Sequence, residues 1–195
     1  RFKGAGRGVS FISGAPDPDS DDGRGPKAVR CVYLTGSSAE GPVAIQGFTL
    51  RNGFSDRGDT LGNLSYQGGL VRNGASTSLR QVIDCELVGG CAYRGAFAMN
   101  GTFTRCLFHG ATDLGGGALR GATVRSSVFY GNGGKMLDFD NTVRQTTISS
   151  TNGVSVLGID SATKKAATLV GSALQATGCT SDLTVTDFTG VCYSF

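Results

Sequence analysis

The sequence predicts an all-β solenoid, a parallel β-helix of about seven coils, and three observations carry that expectation. Glycine makes up 32 of 195 residues, against a usual share of roughly 7%. Short segments recur at intervals near 20 residues. No window holds the 3.6-residue apolar period of an amphipathic helix. With 4 prolines the chain is not collagen-like, and with 17% charged residues it reads as neither a coiled coil nor a charged disordered tail. Its apolar runs are far shorter than the ~20 residues a membrane-spanning helix needs.

Each element follows from position along the chain. Gly47-Phe48-Thr49-Leu50-Arg51-Asn52-Gly53 is an early copy of a repeated strand, and residues 53–68 are a long polar excursion. Leu70-Val71-Arg72-Asn73-Gly74, Ala98-Met99-Asn100-Gly101, Ala118-Leu119-Arg120-Gly121, Asp138-Phe139-Asp140-Asn141 and Gly158-Ile159-Asp160-Ser161 repeat one strand, the last four spaced by 20. Residues i and i+2 of a strand share a face. Val71, Met99, Leu119, Phe139 and Ile159 therefore read as one inward ladder, with Phe97, Gly117, Leu137 and Leu157 beside it. The 28 residues from Val71 to Met99 imply an extra loop around residues 90–94.

A second strand per repeat runs through Cys85-Glu86-Leu87, Cys106-Leu107-Phe108, Ser127-Val128-Phe129 and Thr146-Thr147-Ile148, at steps of 21, 21 and 19. Leu50, Leu87, Phe108, Phe129 and Ile148 form its inward ladder. Glycine-rich stretches such as Gly89-Gly90, Gly115-Gly116-Gly117 and Gly131-Asn132-Gly133-Gly134 supply corners that need positive φ. Coils of roughly 20 residues, each rising about 4.8 Å, make a rod some 30–35 Å long. Residues 1–170 read as the coils and 171–195 as a C-terminal cap of the same domain, since an open end exposes unpaired strand edges.

Here the residues reach a family. Val29-Arg30-Cys31-Val32-Tyr33-Leu34, the 47–53 segment, Gly115-Gly116-Gly117-Ala118-Leu119-Arg120-Gly121 and the Cys-x-Phe unit at 106–108 resemble bacterial right-handed parallel β-helix repeat proteins of the pectate-lyase-like superfamily. The resemblance spans roughly residues 5–170 and implies a right-handed coil. It speaks to fold more than to activity, because that superfamily holds lyases, hydrolases, adhesins and other surface proteins.

For an enzyme of this kind the resemblance implies an outward carboxylate cluster. The hydrolase pattern is not followed: His109-Gly110 is preceded by Phe108, and Asn141-Thr142 is followed by Val143. Lyases of the family use calcium held by acidic residues together with an arginine base, and the nearest analogue is Asp138, Asp140 and Asp160 with Arg120 nearby. In a 20-residue register Asp140 and Asp160 would sit about 5 Å apart, able to share a proton or a metal ion. The same column also reads as a solvated ladder in which Arg120 pairs with Asp140, of small energetic consequence.

Other candidates are local. Asp17, Asp19 and Asp21 alternate in an acidic loop that resembles the start of a calcium loop, although position 22 is not glycine and position 28 is Ala28 where a glutamate would close it. His109, the single histidine, reads as a surface or corner residue aligned with Val88 and Tyr130. Six cysteines without CxxC spacing argue against zinc. Cys85 and Cys106 read as stacked buried thiols, Cys179–Cys192 as a disulfide closing the cap, and Cys31 and Cys91 stay unassigned. The even count favours an oxidising, extracellular or cell-surface setting. Asn63-Leu64-Ser65 and Asn100-Gly101-Thr102 are glycosylation triplets.

A net charge of +3, with both signs interspersed, gives no footprint for nucleic acid. The opening at Arg1 reads as a removed targeting segment or as part of a longer protein. Two functions from different classes follow. One is a structural or adhesive surface protein that binds copies of itself, as a filament, or extracellular polysaccharide, and requires no cofactor. The other is a polysaccharide lyase or glycoside hydrolase acting on an acidic polysaccharide, with calcium as its ion.

Overall fold

The computed structural model of the chain describes residues 1–34, 41–57, 66–74, 79–113, 117–132, 136–137, 141–150, 168–176 and 192–193. In chain order the strands begin with β1 Phe2–Lys3, β2 Phe11–Ser13, β3 Val32–Leu34, β4 Val43–Gln46, β5 Thr49–Arg51, β6 Val71–Asn73 and β7 Arg80–Ile83. They continue with β8 Glu86–Val88, β9 Cys91–Ala92, β10 Ala98–Thr104, β11 Leu107–His109, β12 Thr112–Asp113 and β13 Leu119–Arg125. Last come β14 Val128–Tyr130, β15 Thr142–Arg144, β16 Thr147–Ser150, β17 Thr168–Val170, β18 Ala173–Ala176 and β19 Cys192–Tyr193. Among the described residues there is no α-helix, so the chain is all-β.

Two large sheets hold nearly all of it. One runs β1-β4-β7-β10-β13-β15-β17, with β3 and β6 joined alongside through β10; the other runs β19-β18-β16-β14-β11-β8-β5-β2. Every pairing between these strands is parallel. In the first sheet Ile45, Val82, Phe103, Val124, Val143 and Leu169 face one another in register, at steps of 37, 21, 21, 19 and 26. In the second, Leu50, Leu87, Phe108, Phe129, Ile148 and Leu174 repeat the same steps. Identical steps mean that each pass of the chain leaves one strand in each sheet.

The second ladder is the one the sequence predicts: Leu50, Leu87, Phe108, Phe129 and Ile148 are all fully buried. Phe108 and Phe129 stack with ring centroids 4.3 Å apart, and Phe97 and Phe103 meet Phe108 edge-on. Fully burying a leucine or phenylalanine is worth roughly 1.5–3 kcal/mol, so this column is the main cohesive element between passes.

The ladder expected through Val71, Met99 and Leu119 is off by one residue. Val71 pairs with Ala98 and Ala98 with Leu119, while Met99 pairs with Arg72 and Arg120. Ala98 is therefore inside and Met99 half-buried on the other face. Aligning the glycine of Asn100-Gly101 with that of Arg120-Gly121 causes the error. The equivalent left-handed residues are Asn100 (φ 61) and Gly121 (φ 63), and a slip of one exchanges faces along the strand. Leu119 also bridges to Leu137, a step of 18. Phe139, Leu157 and Ile159 lie outside the described residues.

β1 reaches β2 through residues 4–10; from each of β4, β7, β10, β13, β15 and β17 the chain turns into the second sheet through two residues. The first is left-handed in all six cases: Gly47, Asp84, Arg105, Ser126, Gln145 and Gly171. The second is buried: Phe48, Cys85, Cys106, Ser127, Thr146 and Ser172. Down this column, the Cys106 N–H donates to Ser127 Oγ (3.0 Å), the Ser127 N–H to Thr146 Oγ1 (3.4 Å) and the Thr146 N–H to Ser172 Oγ (3.3 Å). Ser127, Thr146 and Ser172 donate in turn to the carbonyls of Arg125, Arg144 and Val170. Cys85 and Cys106 are free, buried thiols in the same column. Burial in this apolar column pushes both thiols above the usual thiol range. The eight-stranded sheet extends past residue 170 through β18 and β19, whereas the nine-stranded sheet, among the described residues, ends with β17 at Val170.

Candidate functional site

Only some of the residues singled out from sequence fall among the described residues. Asp138, Asp140 and Asp160 lie outside the described residues. Arg120 sits on β13, only 9% exposed, beside Met99 in the neighbouring strand. Cys179 is outside the described residues, so the Cys179–Cys192 bridge is too; Cys192 contributes backbone to β19. Cys31 is a half-buried free thiol held to about 11, because burial outweighs its backbone hydrogen bonds. Cys91 is buried.

The acidic loop organises itself and does not converge. Asp17 is buried, and its two carboxylate oxygens accept from the N–H groups of Asp19 (2.9 Å) and Lys27 (3.0 Å). Those two bonds lower its pKa. Asp19 pairs with Lys27 Nζ. Asp22 accepts from Ser20 Oγ, the Arg24 N–H and Arg57 Nε. Against the burial that raises its pKa, these donors bring Asp22 down to about 2. The structure does not gather Asp17, Asp19 and Asp21: among the described residues no group of three or more His, Cys, Asp or Glu is placed to hold a metal ion.

A different constellation stands on the side where β3, β6 and the first half of β10 and β13 run together. Their outward register is Tyr33, Arg72, Met99, Arg120, with neighbouring strands about 4.8 Å apart. The Arg72 guanidinium carbon lies 5.3 Å from the Tyr33 ring centroid and that of Arg30 lies 5.8 Å from it. Arg30 also donates to the Gln67 carbonyl (3.1 Å), and Gln67 bridges in parallel to Arg94. Arg94 stands over both Tyr66 and Tyr93, and Arg24 over Tyr93. Burial and the neighbouring Arg72 charge lower the pKa of Arg30, against the opposing field of Asp56.

Guanidinium groups present planar forks of donors that match carboxylates and sulfates two bonds at a time. Exposed tyrosine rings offer flat apolar surface with a polar tip. Tyr33 is 55% exposed and Tyr93 47%, so the rings rim the arginines. This set was missed from sequence because most of it sits in connections that have no repeat. The legible part is the column that holds Arg72 and Arg120, in which the one-residue slip puts Asn100 where Met99 stands.

A second polar row crosses the outer face of the eight-stranded sheet. The Gly8 N–H donates to Thr49 Oγ1 (2.8 Å), and Thr49 donates to Glu86 Oε2 (2.8 Å). Glu86 Oε1 stands 3.0 Å from His109 Nε2, and the imidazole stacks on Tyr130 at 4.6 Å. The alignment of His109 with Val88 and Tyr130 is as read from sequence. Its carboxylate neighbour is Glu86, one pass and two residues earlier. The hydrogen bond from His109 lowers the pKa of Glu86, aided by Thr49.

Fold and face together define a parallel all-β protein with an arginine–tyrosine surface beside its main sheets. Comparison of the chain with protein-family models, with curated proteins and with solved structures found no match in any of the three. No helix among the described residues is long and apolar enough to cross a membrane.

Proposed function

We propose that the chain is a right-handed parallel β-helix of the pectate-lyase-like superfamily, acting outside the cell or on its surface as a structural and adhesive module. In this reading it holds acidic polysaccharide against the face formed by Arg24, Arg30, Tyr33, Tyr66, Arg72, Tyr93, Arg94 and Arg120. The observation that carries it is the clustering of arginines and tyrosines on one side of a strand stack. The matching of strand steps between the two sheets supports the coil. The test is retention of the full chain on immobilised polygalacturonate and on a neutral glucan: binding to the acidic polymer alone, weakening with salt, is the expected result. Equal retention on both, or on neither, overturns it.

A second reading, a polysaccharide lyase or glycoside hydrolase, is favoured by Glu86 and His109, since a carboxylate-held imidazole is suited to proton transfer. Incubation with polygalacturonate and calcium, followed by absorbance of unsaturated ends and by reducing-end release, tests it. Turnover lost in His109→Gln would support this second reading, and no turnover by the intact chain would reject it.

A further inference from the structure

We infer that Arg30, Tyr33 and Arg72 form a recess for a single oxyanion group of the carboxylate or sulfate class; as a glycan contact this rests on the polysaccharide reading above. Tyr33 and Arg72 are neighbours in register on β3 and β6, and the ring of Tyr33 receives both guanidinium groups, at 5.3 and 5.8 Å. Two like charges on one ring repel, and burial strengthens the repulsion. Asp56 acts on Arg30, but among the described residues no carboxylate pairs with Arg72.

Arg72 is the residue that asks for a ligand. It is 7% exposed, and its Nε is buried without a hydrogen-bond partner. A buried charge left without its counter-charge is costly, and buried polar groups are ordinarily satisfied. A nearby guanidinium cannot supply the acceptor; an oxyanion can, and it would neutralise the repulsion from Arg30 in the same step. The fork geometry of arginine favours a planar carboxylate or one edge of a sulfate over a halide. The exposed Tyr33 ring lies at the rim, where a sugar ring bearing the anion would rest its apolar face.

The experiment titrates the full chain calorimetrically with sodium sulfate, polygalacturonate and dextran sulfate. It is repeated on Arg72→Met, which keeps the stem, on Arg72→Lys, which keeps the charge, and on Lys3→Gln, which changes net charge away from the recess. Sulfate binding by the intact chain is expected, with affinity falling about tenfold or more in Arg72→Met, severalfold in Arg72→Lys, and not at all in Lys3→Gln. If Arg72→Met does not fold by circular dichroism, Arg72→Lys carries the comparison. Sulfate binding unaffected at Arg72, or weakened equally by Lys3→Gln, overturns the recess. Polymer binding that ignores Arg72 also overturns it while sparing the polysaccharide reading. Sulfate binding that depends on Arg72, with neither polymer bound, supports the recess and removes the polysaccharide reading. Which polymer binds tells carboxylate from sulfate.

Discussion

From residue 47 on, each passage from the nine-stranded to the eight-stranded sheet uses two residues, from 47–48 to 171–172; the return uses from nine residues (89–97) to 19 (52–70). On the short side each left-handed residue hands its N–H to the next pass: Asp84 to the Thr104 carbonyl, Arg105 to Arg125, Ser126 to Arg144 and Gln145 to Val170. The long side carries β3 and β6, and with them Arg24, Arg30, Tyr33, Tyr66, Arg72, Tyr93 and Arg94. Connections on a rigid scaffold are where binding groups collect, and here the division falls along two sides of the same strand stack. A short side that is constant from residue 47 on holds the passes together, and a long side of varying length displays the chemistry.

The sharpest way to break the short side's scaffold is through its core. Phe108→Ala removes the ring that stacks on Phe129 and receives the edges of Phe97 and Phe103. A loss of about 3–5 kcal/mol is expected, by urea denaturation. A loss under 1 kcal/mol would mean that the passes are not held by this column. Tyr33→Ala, on the long side, is expected to leave stability nearly unchanged.

Next in size is the polar column. Ser127→Ala leaves the buried Cys106 N–H without its acceptor and is expected to cost about 1–3 kcal/mol. Cys106→Ser, which supplies a hydroxyl like those at 127 and 172, is expected to cost much less. Equal losses in the two would show that the column is ordinary packing and not a chain of hydrogen bonds.

This column shows how far the sequence is legible. Leu50, Leu87, Phe108, Phe129 and Ile148 can be read because apolar identity repeats at the true register. The stacked cysteines can be read as well, because small residues follow the same step. The corner itself is hidden: Asp84, Arg105, Ser126 and Gln145 share a left-handed backbone and no chemistry, so glycine-based reasoning finds only Gly47 and Gly171. The same substitution of Asn100 for glycine displaces the Met99 register. The binding face is hidden for another reason. Arg30, Gln67 and Arg94 meet only after connections of unequal length fold against one another, so no spacing encodes them.

Smaller still is the response to acid. Glu86 has its pKa lowered in the folded chain, first by His109 and also by Thr49, against burial. A lowered carboxylate contributes stability that is present above its unfolded value and lost as pH falls through the folded one. Stability by urea titration should therefore fall on acidification below the ordinary glutamate value of 4.5, and His109→Gln should reduce that dependence. Asp22 adds a separate loss between the ordinary aspartate value of 3.8 and about 2. An unchanged acid limb in His109→Gln would remove the pair from any role in stability.

The smallest effect concerns strain in the corner. Arg105 adopts φ 55, where a side-chain-bearing residue is disfavoured by roughly 1–2 kcal/mol. Arg105→Gly relieves that strain but adds freedom to the unfolded chain, worth roughly 0.4–1 kcal/mol. It also removes the exposed pair with Asp84, at 2.6 Å, which contributes about 0–1 kcal/mol. The sum is near zero. Ser126→Gly occupies the equivalent position, φ 49, without such a pair, and is expected to be a few tenths of a kcal/mol more favourable. The difference between the two should shrink in high salt, because only the Arg105–Asp84 attraction is screened. A salt-independent difference would assign it to the backbone, and the two corners would no longer be mechanically alike.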